Sequence, residues 1–242
     1  MTTRLVNLVA DAADPAASGH WWAEALGWEV TFETRHEVAI EPPEPGGLGI
    51  PLVFVPVPDA KTVPNRVHLD LASPSADAQT ALVARLLDLG ATLADVGQGR
   101  VPWVVLADPE GNELCVLEPR DRYTGTGPLA AVVVAAADPP ALARFWAEAA
   151  AWPVVGADDR LAALRHPSGR GPFLELVRSS APKVTKNRLH LDLAPHPGDD
   201  PAAEVARLLD LGATLADVGQ GEVSWTVLAD PEGNELCVLS PR

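Results

Sequence analysis

Cysteine, lysine, tyrosine and methionine are scarce in this 242-residue chain. It has two cysteines, one tyrosine and one methionine, and its lysines are confined to Lys61, Lys183 and Lys186. Two cysteines, Cys115 and Cys237, do not make a disulfide framework, and a reducing cytoplasm is the simplest setting for them. Positive charge is short as well: 18 basic against 33 acidic residues leave a formal charge of −15. With no basic patch to neutralise phosphates, nucleic acid is excluded as a partner, and an anionic membrane surface has nothing to hold. No apolar run approaches the length of a membrane span. The opening MTTRLVNLVADAADP breaks into acid and proline before a signal-peptide core forms.

What is present is a duplication. RLLDLGATLADVGQG at 85–99 returns at 207–221, NRVHLDL at 65–71 returns as NRLHLDL at 187–193, and VLADPEGNELCVL occurs at both 105–117 and 227–239, all at an offset of 122. Upstream the likeness is looser: ADPAASGHWWAEALGWEV at 13–30 aligns with ADPPALARFWAEAAAWPV at 137–154. The length suits two domains, and we expect them at 1–120 and 129–242, joined by the polar, glycine-bearing DRYTGTGP at 121–128.

Each half holds a shorter rhythm. Residues 4–10 are β-like, and Asp14-Pro15 supplies an N-cap and first-turn pair for a helix whose Trp21, Trp22, Ala25 and Leu26 recur at helical spacing. Strands follow around 28–33, 37–41 and 51–57. Strand 66–72 restarts the order, before a helix at 76–89 ended by Gly90 and strands around 92–96, 102–107 and 113–118. The pattern predicts an α+β protein of four βαβββ modules, at about 4–57, 66–118, 129–178 and 188–240, with curved, mostly antiparallel sheets. Paired modules would form cups. Whether they pair within a half or between halves is left open, and pairing within one chain would let it act as a monomer as well as a homodimer.

The repeated DPEG is a type I turn between two strands. On the strand after it Glu113, Cys115 and Leu117 share a face. In NRVHLDL one face is apolar while Arg66, His68 and Asp70 share the other, and the second half repeats this with Arg188, His190 and Asp192. Either these are half-exposed strands, or His68 and His190 lie inside a polar cup as ligands or acid/base groups. Trp103 and Trp225 precede the turn at equivalent places and offer stacking platforms for the wall of such a cup. Trp22 and Trp146 read as helix core, and His36 and His166 as surface. Cys115 and Cys237 read first as small buried hydrophobes.

The paired βαβββ modules, the WWAEALGW helix, the LGAT after the second helix and the W.VL.DPEGNELCVL hairpin together resemble the vicinal oxygen chelate superfamily. This superfamily includes glyoxalases, bleomycin-resistance proteins and extradiol dioxygenases. The chain is most similar to tandem glyoxalase-like proteins abundant in actinobacteria. The resemblance implies two tandem glyoxalase-like domains, a small organic ligand and, in some members, a divalent metal. It places metal positions at Asn7, near Phe54, at His68 and at Cys115 in the first half, and at about Ala131, Glu175, His190 and Cys237 in the second. A hard divalent ion wants three or four oxygen or nitrogen donors. Alanine and cysteine break the set, leaving His190 and Glu175 as the metal candidates and the cofactor unassigned.

Two functions follow. One is a small-molecule binder using Trp103, Trp225, Asp70, Asp192, Cys115 and Cys237 around the cup. The other is a lyase, isomerase or dioxygenase with His68 or His190 as acid/base. A scaffold protein has only the duplication in its favour.

Overall fold

The computed structural model describes residues 3–43 and 49–242. Along the chain the first half runs β1 (Thr3–Ala12), α1 (Pro15–Leu26), β2 (Glu29–Glu33), β3 (Val38–Glu41), β4 (Leu52–Pro56), then β5 (Val67–Leu71), α2 (Ala76–Asp88), β6 (Thr92–Leu93), β7 (Val104–Ala107) and β8 (Glu113–Val116). A short 3-10 turn, Asp121–Tyr123, leads to the second half. There follow β9 (Leu129–Ala136), α3 (Pro139–Ala150), β10 (Val154–Ala157), β11 (Leu161–Arg165), β12 (Phe173–Arg178), β13 (Leu189–Pro195), α4 (Pro201–Asp210), β14 (Thr214–Leu215), β15 (Thr226–Ala229) and β16 (Glu235–Val238). These are the four expected βαβββ modules in an α+β arrangement.

Local chemistry starts the helices. Asp14 and Asp138 accept the backbone N–H of Ala17 and Ala141, each followed by proline in the first turn. The repeated hairpin is a turn closed by Gly111 N–H on the Asp108 carbonyl at 2.8 Å, with Gly111 at φ 82°, a conformation glycine adopts freely. Its aspartate does more than turn the chain. Asp108 is buried, accepts Trp22 Nε1–H at 3.0 Å and the backbone N–H of Asn112 at 2.8 Å, and so ties the hairpin to α1. Asp230 holds Trp146 the same way at 3.2 Å. The same aspartate therefore fastens the same hairpin to the first helix of its half in both copies.

The modules pair between the halves. Sheet I has the order β14-β15-β16-β13-β1-β4-β3-β2, and sheet II the order β10-β11-β12-β9-β5-β8-β7-β6. Each sheet therefore joins one module of the first half to one of the second, through the antiparallel pairs β1–β13 and β5–β9. Among the described residues, parallel contacts occur only where a module's first strand meets its last, as in β1–β4 and β5–β8. One contiguous apolar core lies on the helix faces of both sheets and includes Leu8, Leu69, Leu191, Trp22, Trp146, Leu86 and Leu208. Arginines at the NR positions bracket the two halves. Arg188 reaches Asn112 and Glu110, while Arg66 reaches Asn234 at 3.1 Å.

Candidate functional site

Strand alternation sends the apolar side chains of β5 and β13 to the helix face and their His and Asp residues to the opposite face. On sheet I, β13 pairs His190 with Val9 and Asp192 with Asn7, and β16 sets Cys237 beside Asp192. On sheet II, His68 pairs with Val133, Asp70 with Ala131 and Cys115 with Asp70. The structure thus assembles two matching triplets, His190–Asp192–Cys237 and His68–Asp70–Cys115. Within each, a nitrogen, an oxygen and a sulfur atom all lie within 4.8 Å of one another.

In both triplets the imidazole Nε2 stands near the aspartate Oδ1, at 3.4 Å for His68–Asp70 and 3.5 Å for His190–Asp192. Burial, together with the neighbouring aspartate and the hydrogen bond to it, pushes both cysteine thiols up. Neither is a nucleophile at neutral pH, because only a thiolate attacks. In sheet I burial also raises Asp192 to about 7, against the opposing pull of the Asn7 and Cys237 hydrogen bonds. Burial, with Lys186 nearby, lowers His190 to about 4. The imidazole is therefore neutral near pH 7. Asp192 Oδ1 and His190 Nδ1 are buried without a partner, as is Asp70 Oδ1 in sheet II.

The two faces differ in what covers them. Over sheet II the 121–128 segment lays Tyr123 into the cup, where it clusters with Cys115, Ala131, Val133, Ala163 and Phe173. The Tyr123 hydroxyl reaches both Glu175 oxygens, at 3.1 and 3.2 Å, and Arg122 pairs with Glu175 at 2.9 Å. Arg120 lies over the Trp103 ring, and Arg165 over Phe173 at 4.5 Å. In sheet I the register position of Glu175 is held by Val53, and that of Ala131 by Asn7, which donates to Asp192 at 3.4 Å. Ala163 is 1% exposed, whereas Ala39 at the matching place in sheet I is half-buried. Trp225 is 40% exposed.

Several expected site residues change place. His190 and Glu175, expected to share a metal, lie on different sheets, because the modules exchange between halves. Glu175 instead faces the His68 triplet. Phe54 points into the helix-side core, and it is Val53, paired with Val9, that faces the cup. His166 is not a plain surface residue: it is half-buried against the Trp152 ring at 5.8 Å. The resemblance missed Tyr123, Arg120 and Arg122 altogether. The only tyrosine of the chain, sitting in a polar linker, was the available signal.

A hard divalent ion does not fit the four implied positions on either sheet. Sheet II offers Ala131 and a Glu175 already bonded to Tyr123 and Arg122, and sheet I offers Val53. The donors that do converge are the mixed N, O and S triplets, a set suited to a thiophilic ion such as zinc.

Comparison with known proteins follows the same lines. Residues 7–117 and 131–239 each match the family model of the glyoxalase-like domain. Glyoxalase I from Zea mays is 14% identical with a TM-score of 0.68, over 99% of this chain and 92% of that one. A protein from Bacillus subtilis described as a "putative dioxygenase" is 12% identical with a TM-score of 0.62, over 99% of this chain and 85% of the other. No curated protein matches. At these identities the structural likenesses speak for the fold alone.

Proposed function

Given that the chain belongs to the glyoxalase-like domain family, we propose that it binds a small organic molecule in the cup of sheet I. The observation that carries this reading is a pair of buried atoms at the cup floor, His190 Nδ1 with no hydrogen-bond partner and Asp192 Oδ1 with nothing nearer than the long 3.5 Å contact to His190 Nε2. A buried acceptor without a donor is costly, on the order of 1–3 kcal/mol, and a ligand that donates there recovers the loss. Val9, Val53 and Val227 supply apolar walls, and Trp225 offers an exposed ring. The ligand is therefore a compact apolar body bearing a hydroxyl or a protonated amine. Sheet II is a poorer receptor, because Tyr123 and Arg122 already occupy it.

Titration with benzylamine, phenol and benzoate, read by tryptophan fluorescence and calorimetry, tests this. A donor probe binds and benzoate does not. Asp192→Asn weakens binding tenfold or more, while Asp70→Asn leaves it unchanged. Binding of benzoate alone, or loss only in Asp70→Asn, would sink the reading.

A second reading, an enzyme of the same superfamily, is supported by the triplet geometry. The His190, Asp192 and Cys237 donors would hold a thiophilic ion, which supplies Lewis-acid chemistry when bound. Near-stoichiometric zinc in the purified protein, lost in Cys237→Ser, would replace the binding reading with this one. Among the described residues no helix is long and apolar enough to cross a membrane.

A further inference from the structure

Away from both cups, the halves of the duplication diverge at the start of their second helices. In the first half α2 starts at Ala76 behind the Ser75 cap. Gln79, in its first turn, lays its side chain along the sheet. The Gln79 amide Nε2 donates to the carbonyls of Pro102 and Val116, each at 3.1 Å. In the second half the 122-residue offset puts Pro201 where Gln79 stands. Proline sets the first helical position there, behind the Asp200 cap, so α4 starts three residues later than the offset would place it. One turn of helix and one amide are missing.

What they leave is a groove of about 440 Å³ on the helix face of sheet I, lined by Pro201, Val205, Leu215, Ser224, Thr226 and Val238 among others. Val238 belongs to the apolar core while its neighbour Cys237 faces the cup, so this groove lies on the other side of the sheet. Ser224 and Val238 are the counterparts of Pro102 and Val116. The strand register that places the valine carbonyl is the same in both copies, Val104 opposite Val116 and Thr226 opposite Val238, with Pro102 and Ser224 each two residues before that strand. Among the described residues no side-chain donor reaches either carbonyl in the second copy. Leu215, on the apolar side, is 69% exposed.

We propose that this groove is a binding site for a small molecule carrying a primary carboxamide on a short apolar body. The chain already holds the image of that ligand: the Gln79 side chain seated in the equivalent place of the first half. Two converging carbonyl oxygens favour an N–H donor and disfavour a carboxylate, whose oxygens would face them without a proton. The apolar wall takes the body of the ligand, and the volume falls within the range of small-ligand sites. None of this depends on what the cup of sheet I binds.

Benzamide is the probe and benzoate its near-isosteric control, followed in ¹H–¹⁵N spectra. Benzamide shifts the amides around 201–205, 215, 224–226 and 238–240 and saturates in the millimolar range expected of a small fragment, whereas benzoate does not. Pro201→Gln supplies the missing amide from within and weakens benzamide tenfold or more. If that substitution disturbs the helix start, Val205→Trp fills the groove from its wall and has the same effect. Gln79→Ala opens the first-half groove and creates a second benzamide site. Absence of shifts with benzamide, equal shifts with benzoate, or unchanged binding in both groove-filling variants would overturn the proposal.

Discussion

The floor of the sheet I cup is made of Asn7, His190, Asp192 and Cys237 between valine walls. Sheet II carries Ala131, His68, Asp70 and Cys115 in the same register, with Glu175 where sheet I has Val53. The triplets are copies, so the difference comes from two strand positions, Val53 against Glu175 and Asn7 against Ala131, and one covering segment. Glu175 is buried on the cup side of sheet II and would be costly alone. The Tyr123 hydroxyl and the Arg122 guanidinium satisfy it, and in doing so close the cup. Val53 asks for no partner, and in sheet I both Asp192 Oδ1 and His190 Nδ1 lack a hydrogen-bond partner, against Asp70 Oδ1 alone among the sheet II triplet. On the proposed reading, Glu175 with its covering segment, and Ala131 in place of Asn7, set the covered cup of sheet II apart from that of sheet I.

The largest effect is expected where that carboxylate is exposed. Tyr123→Ala removes a buried ring and two acceptor contacts, and we expect a loss of about 3–5 kcal/mol in urea unfolding, as for other large-to-small aromatic changes. Adding Glu175→Val to that background imports the sheet I residue and recovers roughly 1–3 kcal/mol, because a buried carboxylate left with Arg122 as its remaining partner disappears. A loss below about 1 kcal/mol for Tyr123→Ala would mean that the segment only rests on sheet II.

A smaller effect concerns titration in the sheet I cup. Asp192 is raised to about 7 from an ordinary value of 3.8. Its contribution is complete below pH 4 and is lost as pH rises towards 7. His190 is lowered to about 4 from 6.5. Its contribution is present above pH 6.5 and is lost as pH falls towards 4. The two slopes oppose each other across one window, so metal-free wild type varies little there on their account. Asp192→Asn leaves stability rising with pH between about 4 and 6.5, and His190→Gln leaves it falling, by at most about 1.4 kcal/mol per pH unit. Denaturant midpoints measured across that window separate the two. Parallel slopes in both variants would show that neither group titrates as its burial requires.

Much of this was legible in the residues. The 122-residue repeat, the βαβββ rhythm, the DPEG turn and the shared face of His and Asp on each NR strand all follow from local period and turn chemistry. What local patterns do not carry is which module meets which. The β1–β13 and β5–β9 pairs join strands whose own sequences would suit either partner, and only packing of the whole chain chooses. For that reason Glu175 reads as a partner of His190 when it lies on the sheet of His68, the two residues flanking Val133 of β9. The one-residue displacement from Phe54 to Val53 has a similar cause: in a strand reading PLVFVP both faces are apolar, so alternation gives no phase. Tyr123 was hidden differently, because a polar, glycine-bearing stretch reads as a linker even when one of its side chains is buried.

The smallest effect lies where the first helices end. Both α1 and α3 stop on a left-handed residue that turns the chain so that the next side chain, Trp28 or Trp152, enters the core at 8% and 5% exposure. In α1 that residue is Gly27 at φ 67°, whereas in α3 it is Ala151 at φ 55°. An L-residue with a Cβ is disfavoured there by roughly 1–2 kcal/mol, partly offset by the extra freedom glycine has in the unfolded chain. Ala151→Gly should therefore stabilise the protein by about 0.5–1 kcal/mol, and Gly27→Ala should destabilise it by a similar amount. Thermal unfolding of the two variants checks this. If Ala151→Gly proved neutral or harmful, the packing of Trp152 would have to hold the helix end more tightly than its backbone conformation strains it.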